Sequence, residues 1–530
     1  MTATAEVPSK PGLLGRNISP YRLTEFLILA FAAIGALLRI ARWVHPRSLW
    51  LDEIFLAPSE LTRSLHDLLF TPLQDWQAAP PGFLVLVQIS VDVFGPGERS
   101  LRLVSILFGL ASLPLMLAVA RRILGRAGVV VAMASFSFLG PLIYYSNELK
   151  PYMCDVVISL AITLAVLIWM DDPRFRRAAV AAAIGAFGIF FSYPAVFVLA
   201  GTAVWMLIRQ RRLHRPPTLS HVSTVCAIWA AAFTVDYLIF LRQFTTGEAY
   251  PHLVQYWIAQ DAFMPHSPLA AFEWIFSTLV GIARSSGAMW LDYPAAALIG
   301  FLVGCAAARR RGDLLLLLAP LPIVLLASAV KKYPFGDRLS LFFVPQYLLL
   351  IAAGVESLRT NMTSKVAAVA IAGCIVLPSA QRAMGYLFHP PGREESLPAY
   401  RWVARQYRPG DVIYLSHFAE PSFHFYESQS GWPADFGATG DVYVEPDHLS
   451  PSQIVDDIKP FAGQRRVWVI LIHIEGGEFD AETIARTAFD QIGRPSLTHT
   501  EPGASVFLYD CRSTDSNQTG TLTGSVGKPS

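Results

Sequence analysis

Residues 151–170 read PYMCDVVISLAITLAVLIWM, twenty positions with one acid, Asp155, and no base. A helix needs about 20 apolar residues to cross the ~30 Å hydrocarbon core of a bilayer, and this stretch has that length. It opens on Pro151, which suits the first turn of a helix. The segment before it, Tyr144-Tyr145-Ser146-Asn147-Glu148-Leu149-Lys150, is aromatic and polar, whereas Arg174, Arg176 and Arg177 follow it. The stretch is therefore a crossing helix with two chemically different ends.

Similar apolar runs lie at about 23–44, 99–120, 126–146, 178–191, 194–209, 221–241, 288–308, 313–330, 339–357 and 365–386. Ser192-Tyr193-Pro194 reads as a tight turn between two of them. The stretch 80–95 is apolar but brief and carries Asp92, so it is expected to be interfacial or re-entrant. Lysine and arginine collect in the N-terminal segment, at Arg121-Arg122 and Arg126, at 174–177, 209–215 and 309–311, and around Arg359 and Lys365. The bias of such residues toward cytoplasmic loops puts all of these inside, which requires about eleven spans. Loops 45–98, 147–150, 242–287 and 331–338, and everything after 387, then lie outside.

Composition agrees. Of 530 residues, 53% are hydrophobic and 15% charged, against about 25% charged in soluble chains, and the mean hydropathy is +0.42. A soluble enzyme, a disordered chain and a secreted disulfide scaffold are all disfavoured. A net charge of +2 gives no reason to expect nucleic-acid binding. Cys154, Cys226, Cys305 and Cys374 fall in apolar runs and read as small buried hydrophobes. The basic start (Lys10, Arg16, Arg22) feeds a long apolar segment without a small-residue cleavage site, so no cleavable signal peptide is expected.

Residues 395–511 change character. Alternation at 411–416 and 466–473 and the run 506–509 read as strands, and 396–408, 451–462 and 480–493 have helical spacing. This predicts a small α/β domain on the outer face. The Ser/Thr/Gly-rich end, 512–530, reads as a disordered tail, and residues 1–22 as a cytoplasmic one.

The unusual polar residues gather in the outer loops. Trp50-Leu51-Asp52-Glu53 places adjacent acids beside an aromatic. Two neighbouring carboxylates raise one another's proton affinity, which suits a general base or a metal ligand; two ordinary acids of a solvated loop are the plainer reading. Glu148 and Lys150 sit at the N-terminal end of the 151–170 helix, where backbone amides favour an anion. A lysine there suits a phosphate, or is a snorkelling cap. Lys331-Lys332-Tyr333-Pro334-Phe335-Gly336-Asp337-Arg338 is a basic run on the side where few cations are expected. An anionic ligand would explain it; so would a charge pair with Asp337. Arg99 and Arg102 break the bias in the same direction, and Arg102, one turn into an apolar helix, needs a partner. His252, Asp261, His266 and Glu273 in 242–287 lack zinc-ligand spacing, and an acceptor groove or plain packing both suit that loop. Asp155 and Asp236 lie within spans near their outer ends, where they serve a function or simply reach water. No Walker loop or dinucleotide fingerprint is present.

Taken in order, these motifs resemble a known family. Leu49-Trp50-Leu51-Asp52-Glu53 follows the first span, and Ala79-Pro80-Pro81-Gly82-Phe83 opens the next apolar stretch. Glu98-Arg99-Ser100-Leu101-Arg102, Tyr145-Ser146-Asn147-Glu148-Leu149-Lys150-Pro151-Tyr152 and Tyr333-Pro334 with Asp337-Arg338 come after. The set is similar to the GT-C membrane glycosyltransferases of family 39 type, which include protein O-mannosyltransferases and the lipid A aminoarabinose transferase. The likeness covers about 20–390 and implies a polytopic α-helical protein of GT-C fold with a catalytic transmembrane domain at 23–390.

It further implies an inverting transferase of the cell (inner) membrane. Such an enzyme moves a hexosyl or pentosyl group from a polyprenyl-phosphate donor to an acceptor hydroxyl on an envelope lipid, polysaccharide or protein, at the outer face. By resemblance Asp52 is the base and Glu53 orients the acceptor or a divalent metal ion, an open cofactor question. Lys150, Arg102, Arg338 and Lys332 hold the donor phosphate, and Glu148, Tyr152 and Trp50 line the substrate. Ala79 replaces the family's histidine before Pro80-Pro81, so any role of that histidine is absent. Lys150 stands where many relatives have arginine, which loses bidentate geometry. Two other readings compete. A transporter or flippase of a lipid-linked saccharide would use the same cations without a base, and a sensor or assembly protein would use the membrane part as an anchor.

Overall fold

The computed structural model describes residues 20–74, 77–210, 217–242, 249–388, 392–433, 436, 442–446, 451–463, 466–474 and 481–511. The expected tail 512–530, most of the tail 1–22 and the basic stretch 211–215 lie outside the described residues. The chain divides into two compact units: Met1–Val44, Ala78–Val87 and Arg102–Phe388 make the first, and His45–Gln77, Gln88–Leu101 and His389–Ser530 the second.

The first unit is helical, and each apolar run of the sequence contains helix, run 288–308 only from Pro294 onward. Pro20–Val44, Glu98–Ile123, Tyr152–Asp171 and Met362–Phe388 are long single helices. Run 126–146 is split into Arg126–Phe138 and Gly140–Tyr145, and run 313–330 into Leu315–Leu318 and Pro320–Ala329. Run 221–241 is Leu219–Asp236 closed by a π-turn at Tyr237–Leu241, and run 339–357 begins as a 3-10 turn, Asp337–Phe343, before Val344–Ser357. Among the described residues six helical segments are long and apolar enough to cross a membrane by length and composition, and shorter apolar helices accompany them. The 80–95 stretch is the short helix Pro81–Phe94, and the 242–287 loop carries two helices, Ala249–Ala259 and Pro268–Arg284.

Burial sorts these helices into layers. Every residue from Val344 to Val355 is buried, as befits a helix apolar all round. Pro20–Val44 and Met362–Phe388 instead expose large apolar side chains such as Phe26, Leu29, Val369 and Leu377, the pattern of a lipid-facing surface. The central helix meets Pro294–Ala308 at backbone distance. A Cβ on Gly304 would lie 2.0 Å from the Leu350 carbonyl oxygen, and one on Gly354 would lie 2.2 Å from that of Gly300. Gly300 and Gly304, four apart, make the small-residue face that close helix packing in membranes uses, and Phe301 stacks on Tyr347 beside it with ring centroids 4.3 Å apart.

The basic loops assigned to one side of the membrane share one end of this unit. Arg121 pairs with Glu25 at 2.5 Å, Arg122 with Asp171 at 3.0 Å, Arg209 with Asp313 at 3.0 Å and Arg311 with Glu356 at 3.7 Å. Glu356 also accepts the Gly125 amide. At the 190–194 turn, the Gly82 amide donates to the Phe190 carbonyl at 2.7 Å, and the Tyr193 hydroxyl donates to the Ala79 carbonyl at 2.9 Å. The Pro80-Pro81-Gly82 corner and the Ser192-Tyr193-Pro194 turn are thus one structural joint.

The second unit contains a five-stranded sheet with β1 Val412–Leu415, β2 Val442–Val444, β3 Val467–Ile472, β4 Arg494–Glu501 and β5 Ala504–Asp510 in the order β2-β1-β3-β5-β4. β1 pairs parallel with β2 and β3, whereas β5 pairs antiparallel with β3 and β4. β1, β3 and most of β5 are buried on both faces, as strands covered on either side are, where alternation was expected for 411–416 and 466–473. β4 is a polar, largely exposed edge. Helices Ser396–Ala404 and Ala481–Phe489 match two of the expected ones, and 451–462 is Pro451–Asp457 followed by a 3-10 turn.

Candidate functional site

The acidic motif belongs to the second unit. Trp50 is extended and caps the one-turn helix Leu51–Ile54, so Asp52 and Glu53 are consecutive helical residues. Consecutive helical side chains do not face one another, and the pair divides accordingly. Glu53 is fully buried, and its Oε2 accepts the Trp50 amide at 3.3 Å. Asp52 stays partly exposed. Glu53 closes the turn from inside, and Asp52 is the more exposed of the two.

The rest of this loop is pinned by residues that follow the last apolar run. Glu395 Oε2 accepts the Ser48 amide at 3.0 Å, Glu394 Oε2 accepts the Leu51 amide at 2.8 Å, and the Tyr426 hydroxyl accepts the Leu49 amide at 2.7 Å while donating to Glu98 at 2.8 Å. The Leu397 amide donates to the Ser48 hydroxyl. The Arg393 guanidinium lies 3.5 Å from the centroid of Trp50, which is buried beneath it. Trp50, expected to line the substrate, is thus packed against Arg393 within the loop.

The clamp is itself held by the sheet. Glu394 Oε1 lies 2.5 Å from His473 Nδ1 at the end of β3, and the Glu395 amide donates to the Pro502 carbonyl in the β4–β5 turn. Gly503 closes that turn with φ +66, and a Cβ there would lie 2.0 Å from the Arg393 carbonyl oxygen. Glu394, Glu395, Tyr426 and His473 escaped the sequence reading, although adjacent acids directly after the last span were a visible signal. Glu60, in the helix Ala57–Thr62, was missed too. It is 2% exposed, and neither carboxylate oxygen has a hydrogen-bond partner among the described residues. Burial pushes its carboxyl well above the usual range.

The cationic candidates belong to the first unit. Arg102, Glu148 and Lys150 are all buried, and none lacks a partner. Ser105, one turn after Arg102 on the same helix, donates to the backbone carbonyls of Glu148 at 2.5 Å and Lys150 at 3.2 Å. A Cβ on Gly109 would lie 2.3 Å from the Ser146 hydroxyl oxygen, so the 146–150 turn is seated tightly on the helix that carries Arg102. Tyr152 is half-buried and meets Tyr145 edge-on, ring centroids 4.8 Å apart. The structure brings Arg102, Glu148, Lys150 and Tyr152 into one neighbourhood. Asp155 and Asp236 are buried rather than open to water, and each has one carboxylate oxygen without a hydrogen-bond partner among the described residues.

The 331–338 run divides. The Lys332 ammonium sits 4.4 Å from the Tyr250 ring centroid, and the Tyr250 hydroxyl donates to the Lys331 carbonyl. Further along, Asp337 and Arg338 line a cleft of about 310 Å³ together with Tyr256, Trp257, Gln260, Asp261 and Trp274. Asp337 Oδ1 accepts from the Gly287 amide at 3.2 Å and from the Ser285 hydroxyl. Among the described residues no three His, Cys, Asp or Glu side chains form a metal-holding group.

Comparison with known proteins supports the sequence resemblance. Residues 78–235 match the family model described as dolichyl-phosphate-mannose-protein mannosyltransferase. That span contains the Pro80-Pro81, Glu98–Arg102 and Tyr145–Tyr152 motifs, though neither Asp52-Glu53 nor Asp337-Arg338. No curated protein sequence matches the chain. Among solved structures, the Archaeoglobus fulgidus oligosaccharyltransferase complexed with Zn and sulfate aligns with a TM-score of 0.53 at 13% identity, covering 92% of this chain and 73% of that one. Its apo form gives 0.53 at 13% identity, over 94% and 76%. ArnT from Cupriavidus metallidurans bound to undecaprenyl phosphate gives 0.46 at 12% identity, over 91% and 97%. The chain has the GT-C fold and is a multi-pass membrane protein.

Proposed function

We propose that this GT-C protein is an inverting glycosyltransferase that moves a sugar, a hexose or a pentose, from a polyprenyl-phosphate-linked donor to an acceptor hydroxyl. The observation that carries the reading is the state of the acidic loop: its amides are taken up by Glu53, Glu394, Glu395 and Tyr426, and Asp52 is only partly buried. A pinned backbone that presents one accessible acid is what a general base requires. The dolichyl-phosphate-mannose description of the matching family supports a polyprenyl-phosphate donor.

In this mechanism Asp52 accepts the proton of the acceptor hydroxyl as its oxygen attacks the anomeric carbon. The bond from that carbon to the phosphate oxygen breaks with inversion, and polyprenyl phosphate departs with the electron pair. Lys150, Arg102 and Arg338 offset the charge that develops on the phosphate, an electrostatic contribution typically worth about 10²–10³ in rate per group. Lys332, seated on Tyr250, contributes field rather than contact. The reading places the protein in the inner membrane with its N-terminus in the cytoplasm and its sheet on the outer face, and takes an envelope lipid, polysaccharide or protein as acceptor.

A flippase would use the same cations but release no carrier phosphate. Incubating the purified protein with a labelled polyprenyl-phosphate sugar and an envelope extract decides the matter. Release of polyprenyl phosphate with label in the acceptor supports transfer; movement of intact labelled lipid between leaflets without cleavage refutes it.

A further inference from the structure

The cleft beside Asp337 and Arg338 is furnished for a particular kind of ligand. Tyr256 is 51% exposed and Trp257 half-buried, their rings edge to face with centroids 5.0 Å apart. Two large flat apolar faces thus stand at a cleft whose other walls include Gln260, Ser277 and Thr278. Its charged lining is two carboxylates, Asp261 and Asp337, against one guanidinium, Arg338. Such walls favour a ligand with hydrogen-bond donors and an apolar face over a second anion.

Both aspartates are held in unusual backbone geometry. Asp261 has φ +51 and Asp337 φ +41, left-handed values that non-glycine residues seldom adopt. The Asp261 backbone is held from behind: the buried Trp274 indole donates to the Asp261 carbonyl at 2.8 Å, and the Phe335 amide donates to the next carbonyl, Ala262, at 2.9 Å. A Cβ on Gly287 would lie 2.2 Å from Asp337 Oδ1, so the backbone approaches that carboxylate as closely as it can. Both aspartates line the one cleft.

We infer that this cleft is a sugar-binding subsite that takes a single sugar ring, one face on Trp257 and hydroxyls on Asp261 and Asp337. Its volume of about 310 Å³ is at the small end of ligand pockets, roughly 300–1,000 Å³, which suits one ring and not a chain of them. The binding claim rests on the cleft alone; only the choice of molecule that brings the sugar, donor or acceptor, rests on the glycosyltransferase reading.

Saturation-transfer NMR tests it on the full-length protein in nanodiscs, with methyl hexopyranosides and methyl pentofuranosides as soluble probes. At least one probe should show saturable transfer in the wild type and in Trp257→Phe. The affinity should fall tenfold or more in Trp257→Ala and in Asp261→Asn, the latter keeping a residue that tolerates left-handed backbone. Tyr256→Ala, a truncation of an exposed ring, provides a second variant that leaves the fold intact. Absence of transfer from every probe, or unchanged affinity in all three variants, overturns the inference and leaves the aromatics as an interfacial belt. If bare polyprenyl phosphate competes with the probes and no glycoside binds without it, the site is a lipid-phosphate site and the inference also falls. In the transfer assay, a Trp257→Ala increase in donor KM assigns the ring to the donor, and one in acceptor KM to the acceptor. Sugar binding without any transfer would refute the enzymatic reading while sustaining this one, and transfer without sugar binding would do the reverse.

Discussion

Asp52 and Glu53 are neighbours in the chain, and one helical turn gives them separate tasks. The pairing was legible in the sequence; the separation was not, because it depends on Trp50 starting a helix just there and on Glu53 reaching back to its amide. Glu53→Gln keeps an oxygen acceptor for that amide, whereas Glu53→Ala leaves a buried donor unpaired at a cost of about 1–3 kcal/mol. The expected result is near-wild-type melting for the glutamine variant and a clear loss for the alanine one, read by thermal unfolding. Glu60 poses the opposite problem, a buried carboxyl with no hydrogen-bond partner in the described structure. Its folded-state pKa is raised by burial, so the folded protein holds this proton more tightly than the unfolded chain. Stability from that group is full below the ordinary carboxylate pKa and declines as pH rises from there toward the raised folded value. Glu60→Gln should therefore melt higher than wild type at pH 8 and equally near pH 4; the reverse order would show that Glu60 is ionised and partnered.

At the level of elements, legibility followed apolar patterning. β1, β3 and β5 announced themselves because they are buried. β2, three residues long, and β4, a polar edge, carry no apolar signature, and the helices Ala249–Ala259 and Pro268–Arg284 were lost in a long loop. The larger omission was the role of the C-terminal sheet. Expected only as a small outer domain, it braces the acidic loop through the 393–395 segment: Gly503 and Pro502 press on that segment, and Glu394 and Glu395 hold the amides of Leu51 and Ser48. Glu394→Ala is therefore expected to lower kcat at least tenfold without loss of the folded sheet, checked by transfer rate and circular dichroism on the same preparation. Glu394→Gln, which retains an acceptor for the Leu51 amide, should recover most of it. Equal defects in both variants would mean the carboxylate charge, and not the hydrogen bond, is what the loop needs.

For the molecule as a whole, the apolar runs and the basic loops carried most of the architecture. Each run contains helix, and the basic loops converge through Arg121–Glu25, Arg122–Asp171, Arg209–Asp313 and Arg311–Glu356. Backbone proximity between helices was the hidden part: Gly300, Gly304 and Gly354 looked like ordinary small residues until their facing carbonyls were located. Gly304→Leu should separate Pro294–Ala308 from the central helix and sharply lower folded yield in detergent, whereas Gly373→Leu, where a Cβ meets only Leu377 at 3.8 Å, should be tolerated. The central claim is that the fold serves sugar transfer with Asp52 as base. Its most direct test is single-turnover release of polyprenyl phosphate from a labelled donor by purified wild type and Asp52→Asn, matched for folding. Cleavage by the wild type and a rate about 10²–10⁴ lower in the variant are expected; an Asp52→Asn protein that transfers at the wild-type rate would rule out Asp52 as the base.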